Sequence, residues 1–400
     1  MDQASKRIII LIDRYLPILG GAQNNVHQVA RGLVREGLHV TVLTRIVFPG
    51  LQRKESIDGV QIRRFSGSSS RIFSKAGCII GIVRYLLENK NNYDAVLCVP
   101  CVYLTDLLPA YFASRLTRKP YVMRTTGLFD YENLLEFHPR SFPDVLKKFL
   151  LPPLLWRKVL KNTSNIINQS TAILARGRQY GLDSMLVIPN GVDTGRFHSV
   201  NQADVLLIRQ SLDIPKTKIV VTNTGRYVDG KNQISLLKVA RELIVEGHKE
   251  IFILLLGATE EGQVEDTREQ LVKFVQTNGL EDDVRFIDNA DNVDAYLQAS
   301  DIFGFPTRYR EGMSNSLLEA MATGLPIVAS RMEQITCMLP EKYPYLFDPE
   351  CNDELKEQLS DLVISKRRRH EIAEMIETHT RENYSLATTI IRYKSVFLDL

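Results

Sequence analysis

The chain has 400 residues, more than one hydrophobic core usually serves, and its 44% hydrophobic, 24% charged and 8% aromatic composition excludes disorder, a collagen-like repeat and a disulfide scaffold. Five cysteines, an odd number, fit a reducing cytoplasm rather than a disulfide framework. The net charge of +3 hides an asymmetry: residues 1–200 carry 27 basic against 14 acidic side chains, and residues 201–400 carry 23 against 33. The two halves are therefore expected to face different partners, the basic one suiting phosphate, nucleic acid or an anionic membrane.

Met1 to Arg7 is polar and Ile8–Ile12 is short, so no signal peptide is expected. No uncharged apolar run approaches the ~18 residues of a spanning helix. Arg7–Ile12 reads as a strand, Gly20-Gly21 as the loop after it, and Ala22–Glu36 as a helix with Val26, Val29, Leu33 and Val34 on one face. Gly37 stops that helix, and Leu38–Leu43 alternates like a strand. Further strands are expected at Ala95–Val99, Tyr121–Arg124, Asn165–Asn168 and Met185–Ile188, with helices at Gly81–Glu88 and Leu104–Leu116 between them.

After Pro189-Asn190-Gly191 a polar stretch runs to Gln202, and a second βα series begins at Lys218–Thr222. A helix carrying Leu236, Leu237, Ala240, Leu243 and Ile244 follows, then strands at Ile251–Leu256, Val284–Ile287, Asp301–Phe305 and Pro326–Ala329. From Asn352 the tail reads as two or three helices. The alternation predicts α/β architecture: two doubly wound Rossmann-like domains, 1–190 and 191–383, facing a cleft. Ligands in such folds bind beyond the carboxyl ends of the strands.

The most informative stretch runs from Glu311 through Met313, Ser314 and Asn315 to Glu319 and on to Ser330. It sets one carboxylate in a glycine-bearing loop and a second one turn into a helix, whose N-terminus is a ready anion site. Ser316-x-x-Glu319 also fits a capping box, which would occupy Glu319 without a ligand.

These residues resemble the retaining GT-B glycosyltransferases, especially the large glycosyltransferase family 4. The E-x7-E spacing is joined by Gly20-Gly21, Ile188–Phe197, Thr224-Gly-Arg226-Tyr-Val-Asp-Gly-Lys231-Asn and Ala299-Ser-Asp301-Ile-Phe-Gly-Phe-Pro306, in order along nearly the whole chain. The resemblance implies a metal-independent transfer of sugar, with retention, from a nucleotide-sugar donor to an acceptor hydroxyl. No cofactor is implied beyond the co-substrate, a UDP- or GDP-sugar. Arg226 and Lys231 would hold the donor diphosphate, Glu319 the ribose hydroxyls and Glu311 the transferred sugar. Backbone N–H groups around Met313, Ser314 and Asn315 would meet sugar or phosphate, and Gly20 and Gly21 would let the first loop approach the donor. The first domain would take a glycan or lipid-linked acceptor, and the last helix, about 384–400, would pack back on it. Where many members carry a His-Gly or His-Asp pair this chain has Thr126-Gly127, which offers the Thr126 hydroxyl in place of the histidine, with Arg124 available to an anionic acceptor. Asp288 and Ser314 stand where the pattern has glycine.

Other readings are weaker on the residues. Cys98-Val-Pro-Cys101 has redox spacing but no second pair for zinc, and no metal site is expected. The first loop lacks the G-x-G-x-x-G of a dinucleotide site, and no nucleic-acid motif accompanies the basic half. A sugar-nucleotide epimerase of similar fold and a non-catalytic nucleotide-sugar-binding module stay open. Residues 140–161 interleave Lys147, Lys148, Arg157 and Lys158 with Leu, Phe and Trp156, which suits either a core-packed amphipathic helix or peripheral docking of a cytoplasmic enzyme on an anionic membrane.

Overall fold

The computed structural model describes residues 5–18, 20–66, 71–100 (backbone alone over 71–76), 107–125, 158–171, 174, 177–178, 182–257, 267–308 and 312–400. Thr126, Glu311 and residues 140–157 of the basic amphipathic segment lie outside them. The chain divides into two units, Met1–Gly191 with Leu386–Leu400, and Val192–Ser385.

The first unit is built on an eight-stranded sheet in the order β3-β4-β2-β1-β5-β6-β7-β8. Its strands are β1 (Arg7–Ile12), β2 (His39–Arg45), β3 (Lys54–Ile57), β4 (Val60–Phe65), β5 (Ala95–Val99), β6 (Tyr121–Arg124), β7 (Asn165–Asn168) and β8 (Met185–Val187). All neighbours pair parallel except β3 with β4. Alternation along β1 sends Ile8, Ile10 and Ile12 to one face and Ile9 and Leu11 to the other, each into its own core. The second core is covered by α2 (Arg71–Glu88) and α3 (Leu108–Thr117). The first is covered by α1 (Gly21–Arg35), through Val26, Val29, Ala30 and Leu33, and by the C-terminal helix through Tyr393, Val396 and Phe397. Each fully buried large side chain of this kind adds about 1.5–3 kcal/mol, which short helices need because they are marginal alone. The approach is close: a Cβ on Gly32 of α1 would lie 2.1 Å from Ile390 Cδ1.

The hairpin β3–β4 is absent from the sequence expectation. Its turn is Asp58-Gly59, with φ of 51° and 79°, the left-handed pair that a two-residue hairpin demands. The Asp-Gly dipeptide between Ser56-Ile57 and Val60-Gln61-Ile62 was the available signal.

The second unit has six parallel strands in the order β11-β10-β9-β12-β13-β14. They are β9 (Ile219–Thr224), β10 (Ile251–Gly257), β11 (Val284–Asp288), β12 (Ile302–Phe305), β13 (Ile327–Ser330) and β14 (Leu346–Phe347). The helices are α4 (Gln202–Ser211), α5 (Gln233–Val245), α6 (Arg268–Thr277), α7 (Val293–Gln298), α8 (Asn315–Ala322), α9 (Glu333–Thr336), α10 (Asn352–Ile364) and α11 (Lys366–Tyr384). The order reverses between β9 and β12, the switch point where open α/β sheets bind ligands. After Ser385 the chain returns to the first unit as α12 (Leu386–Leu398). Both units are doubly wound Rossmann-like α/β domains.

Candidate active site

The loop after β9 carries the two cations singled out by sequence. Gly225 N extends the ladder by donating to Leu256 O at 2.9 Å, and Arg226 then turns out to solvent. Beneath it Tyr227 is buried and donates from its hydroxyl to Leu255 O at 3.0 Å. Its ring fills the space where a Cβ on Gly257 would stand, 2.2 Å away, so the end of β10 requires glycine. The Arg226 carbonyl is held by Gln233 Nε2 at 3.0 Å and Val228 N at 3.0 Å. A 3-10 turn, Asp229–Lys231, follows, and α5 starts from Asn232 in the left-handed conformation, φ 51°.

Lys231 is half-buried, its Nζ 5.3 Å from the centroid of the Phe305 ring at the end of β12. Gly230 O in the same turn accepts from Thr307 Oγ1 at 2.9 Å and from Arg308 N at 2.8 Å. The loops after β9 and β12 are thereby clasped together at the switch point. Beyond residues 309–311, which lie outside the described residues, Met313 and the N-cap Ser314 lead into α8, which carries Asn315 and Glu319.

The N-cap of α8 is Ser314, whose Oγ accepts from Leu317 N at 3.5 Å and lies 3.0 Å from Ser316 Oγ. Ser316 is inside the helix, so the Ser316–Glu319 capping box is not formed. Glu319 is half-buried, and no described residue donates a hydrogen bond to its carboxylate. Burial pushes that carboxyl up to about 7, with Arg196 opposing the rise and Asp294 adding to it. A partly desolvated carboxylate without a donor is suited to ligand hydroxyls.

The surroundings of Glu319 include a residue that sequence reasoning did not single out. Arg196 donates to Asp294 Oδ1 from Nε at 2.9 Å and Nη2 at 2.7 Å, and to Asp291 O at 2.7 Å. It also stacks on Phe197 at 5.1 Å, and Asp193 Oδ1 accepts from Gly195 N and Arg196 N to shape its turn. Asp294 is on α7, so the Ile188–Phe197 motif reaches the environment of α8 through Arg196. The other flanking motif is explained by packing: Asp301 accepts from Val220 N at 2.8 Å and from buried Arg209 at 2.6 Å. Asp288, where the family pattern has glycine, is gripped by Arg268 through Nε at 2.9 Å and Nη2 at 2.7 Å.

In the first unit Gly20 is the N-cap of α1 in extended backbone, φ −173°, and gives that helix no side-chain cap; Gly21 is its first residue. The loop before it is tied down by a relay. Tyr15 Oη lies 2.8 Å from His27 Nδ1, and His27 Nε2 lies 2.9 Å from Asp58 Oδ2. The His27 contact holds the Asp58 carboxyl below its ordinary range, against a small effect of burial. Arg124, expected at an acceptor, is buried with its Nη2 turned to Asn25 and Asn190.

Two family profiles match the chain: "Glycosyltransferase Family 4" over residues 19–196 and "Glycosyl transferases group 1" over residues 204–379. The chain belongs to the family 4-like GT-B glycosyltransferases. Among curated relatives of this family, the lipopolysaccharide core biosynthesis glycosyltransferase LpsE of Rhizobium meliloti is 30% identical over 174 residues, 43% of this chain and 46% of that protein. The GDP-mannose-dependent monoacylated alpha-(1-6)-phosphatidylinositol monomannoside mannosyltransferase of Corynebacterium glutamicum is 31% identical over 150 residues, 36% of this chain and 37% of that protein. The chain thus spans less than half the length of either relative. Anabaena HepE, crystallised with UDP, superposes with a TM-score of 0.76 at 17% identity, covering 99% of this chain and 100% of that one. At that identity the likeness establishes the GT-B fold alone.

Proposed function

We propose that the protein transfers a sugar from a UDP- or GDP-sugar to a glycan or lipid-linked acceptor in glycolipid or polysaccharide assembly, with retention and without a metal. The observation that carries this reading is the clasp on Gly230 O, which joins the Arg226–Lys231 loop to the loop leading into α8 at the switch point. A nucleoside diphosphate leaving from C1 gathers negative charge, and two cations fixed beside a helix N-terminus stabilise it. Glu319 accepts from the ribose hydroxyls, Glu311 contacts the sugar, and the N–H groups of Met313, Ser314 and Asn315 serve sugar or phosphate. The Gly20-Gly21 loop approaches the donor.

In the proposed step the acceptor oxygen attacks C1 on the face from which the diphosphate departs. The new C1–O bond forms as the C1–phosphate oxygen bond breaks, and the acceptor proton passes to the leaving phosphate oxygen. No protein base is required. The names of two curated relatives support the reading: the Corynebacterium glutamicum enzyme is GDP-mannose-dependent and acts on a phosphatidylinositol mannoside, and an Escherichia coli relative is a UDP-Gal galactosyltransferase.

Incubation with α-linked UDP- and GDP-sugars, followed by proton NMR of the first-formed product, tests the reading. An α-anomer supports retention, and a β-anomer or an epimerised nucleotide sugar contradicts it. We further propose reversible docking of residues 140–161 on anionic membranes. Among the described residues no helix is long and apolar enough to cross a membrane. Co-sedimentation with anionic vesicles at low salt, lost at high salt, is expected; equal recovery with neutral and anionic vesicles would refute docking.

A further inference from the structure

Arg124 ends β6 with 2% of its surface exposed, and no carboxylate pairs with it among the described residues. Its Nη2 donates to Asn25 Oδ1 at 2.5 Å and to Asn190 Oδ1 at 2.7 Å. Its Nε and Nη1 are buried and donate to nothing among those residues. The Tyr393 hydroxyl is buried beside the guanidinium and interacts with it, without a hydrogen bond of regular geometry. A guanidinium left this way is expensive, and apolar side chains of similar volume are often equally or more stable in such places.

What the cost secures follows from where the three neighbours sit. Asn25 lies in the second turn of α1, the helix that begins at Gly21. Asn190 immediately precedes Gly191, where the chain leaves the first unit, and Tyr393 lies on α12, where it has just returned. These two connections touch. A Cβ on Gly191 would lie 2.6 Å from Leu386 Cα and 2.9 Å from Thr389 Oγ1, and Thr389 Oγ1 donates to Pro189 O at 3.4 Å. On the second unit's side Val192 N donates to Tyr384 O at 2.8 Å. One buried cation therefore meets α1 and both connections at once.

We propose that Arg124 is a positioning residue that fixes on the first unit both points of connection to the second, together with α1, at a net cost to stability. The cost is repaid in the transfer step. This rests on the functional reading above, in which the second unit holds the donor.

Arg124→Met keeps the bulk and removes the charge. Its melting temperature is expected to equal the wild type's or exceed it by about 2–4 °C. Affinity for UDP or GDP should be unchanged, while kcat with the nucleotide sugar used by the wild type falls about 10- to 100-fold. Arg124→Lys keeps the charge without the planar fork and should lose kcat similarly. Asn190→Ala, which frees only the outgoing connection, should lower kcat with the same unchanged nucleotide affinity. A lower melting temperature for Arg124→Met would show an ordinary structural arginine, and undiminished kcat would show that nothing is positioned. A rise confined to the acceptor KM would place Arg124 on the acceptor instead. A wild-type chain that binds neither UDP nor GDP would defeat the donor reading, while the melting comparison would still decide whether the guanidinium is held at a cost.

Discussion

The loop after β9 and the end of β6, one in each unit, treat charge in opposite ways. In the second unit Arg226 is exposed, Lys231 is half-buried against Phe305, and the Glu319 carboxylate receives no donor from the described residues. In the first unit the arginine that ends β6 is sealed among Asn25, Asn190 and Tyr393. A doubly wound sheet by itself does not decide which edge meets a ligand. Charge left in reach of solvent on a clasped loop suits an anionic substrate, whereas buried charge facing only neutral dipoles organises the protein.

The sharpest break of this contrast is at Arg226 and Lys231. Arg226→Ala/Lys231→Ala should reduce sugar transfer by on the order of 10²–10³ or more, because charge on the leaving diphosphate is no longer met. Its melting temperature without nucleotide should fall by no more than about 2–4 °C, since Arg226 is exposed and only the half-buried Lys231 stem against Phe305 is lost. Steady-state turnover beside a melting curve checks both parts, and transfer within a factor of about 3 of the wild type's would remove these residues from the mechanism.

A smaller effect is expected at Glu319, where pH supplies the handle. Its carboxyl is raised from the ordinary 4.5 to about 7, mainly by burial. Its contribution to stability is therefore full below pH 4.5 and is lost as pH rises through about 7. The ionised form accepts ribose hydroxyls, so nucleotide affinity should rise over the same interval. Calorimetry in buffers of different ionisation enthalpy should detect proton release on binding near pH 6.5. Glu319→Gln should flatten both trends, and a pH-independent affinity in the wild type would contradict the ribose role. Because the cap is Ser314, Glu319→Gln should not cost the ~1 kcal/mol of a lost cap, whereas Ser314→Ala should cost up to that amount.

The smallest difference concerns packing. At Gly257 an added Cβ meets the ring of buried Tyr227 at 2.2 Å, so Gly257→Ala should cost about 1–3 kcal/mol. Gly32→Ala in the first unit meets Cδ1 and Cγ1 of half-buried Ile390, which must change rotamer, but that cost is offset by up to ~1 kcal/mol of helix propensity. Urea unfolding should rank Gly257→Ala as the more damaging, and the reverse order would mean that Tyr227 is free to move.

The contrast also explains what could be read from sequence. Strands such as Arg7–Ile12 and Ile251–Gly257 are legible because buried parallel strands are near-continuous apolar runs. The Arg226–Lys231 loop and the α8 start were legible from position after a strand and from motif. The N-cap lies two residues earlier than a Ser316–Glu319 box requires, because Ser314 and Ser316 offer the same hydroxyl and only backbone geometry selects between them. The hairpin β3–β4 leaves little periodic signal, because Lys54–Ile57 is a short, polar edge strand. Arg196 and Arg124 were not readable in role. Their partners, Asp294, Asn25 and Asn190, are far away in sequence, and burial of a lone arginine leaves no periodic trace.

The most direct test of the central claim, that the edge of the second unit grips the diphosphate of a nucleotide donor, is calorimetric titration of UDP and GDP into the wild type, Arg226→Ala/Lys231→Ala and Arg124→Met. One nucleotide should bind the wild type and Arg124→Met with equal affinity, and the double variant at least about 100-fold more weakly. Equal affinity in all three proteins, or a loss at Arg124 with none at Arg226 and Lys231, would contradict it.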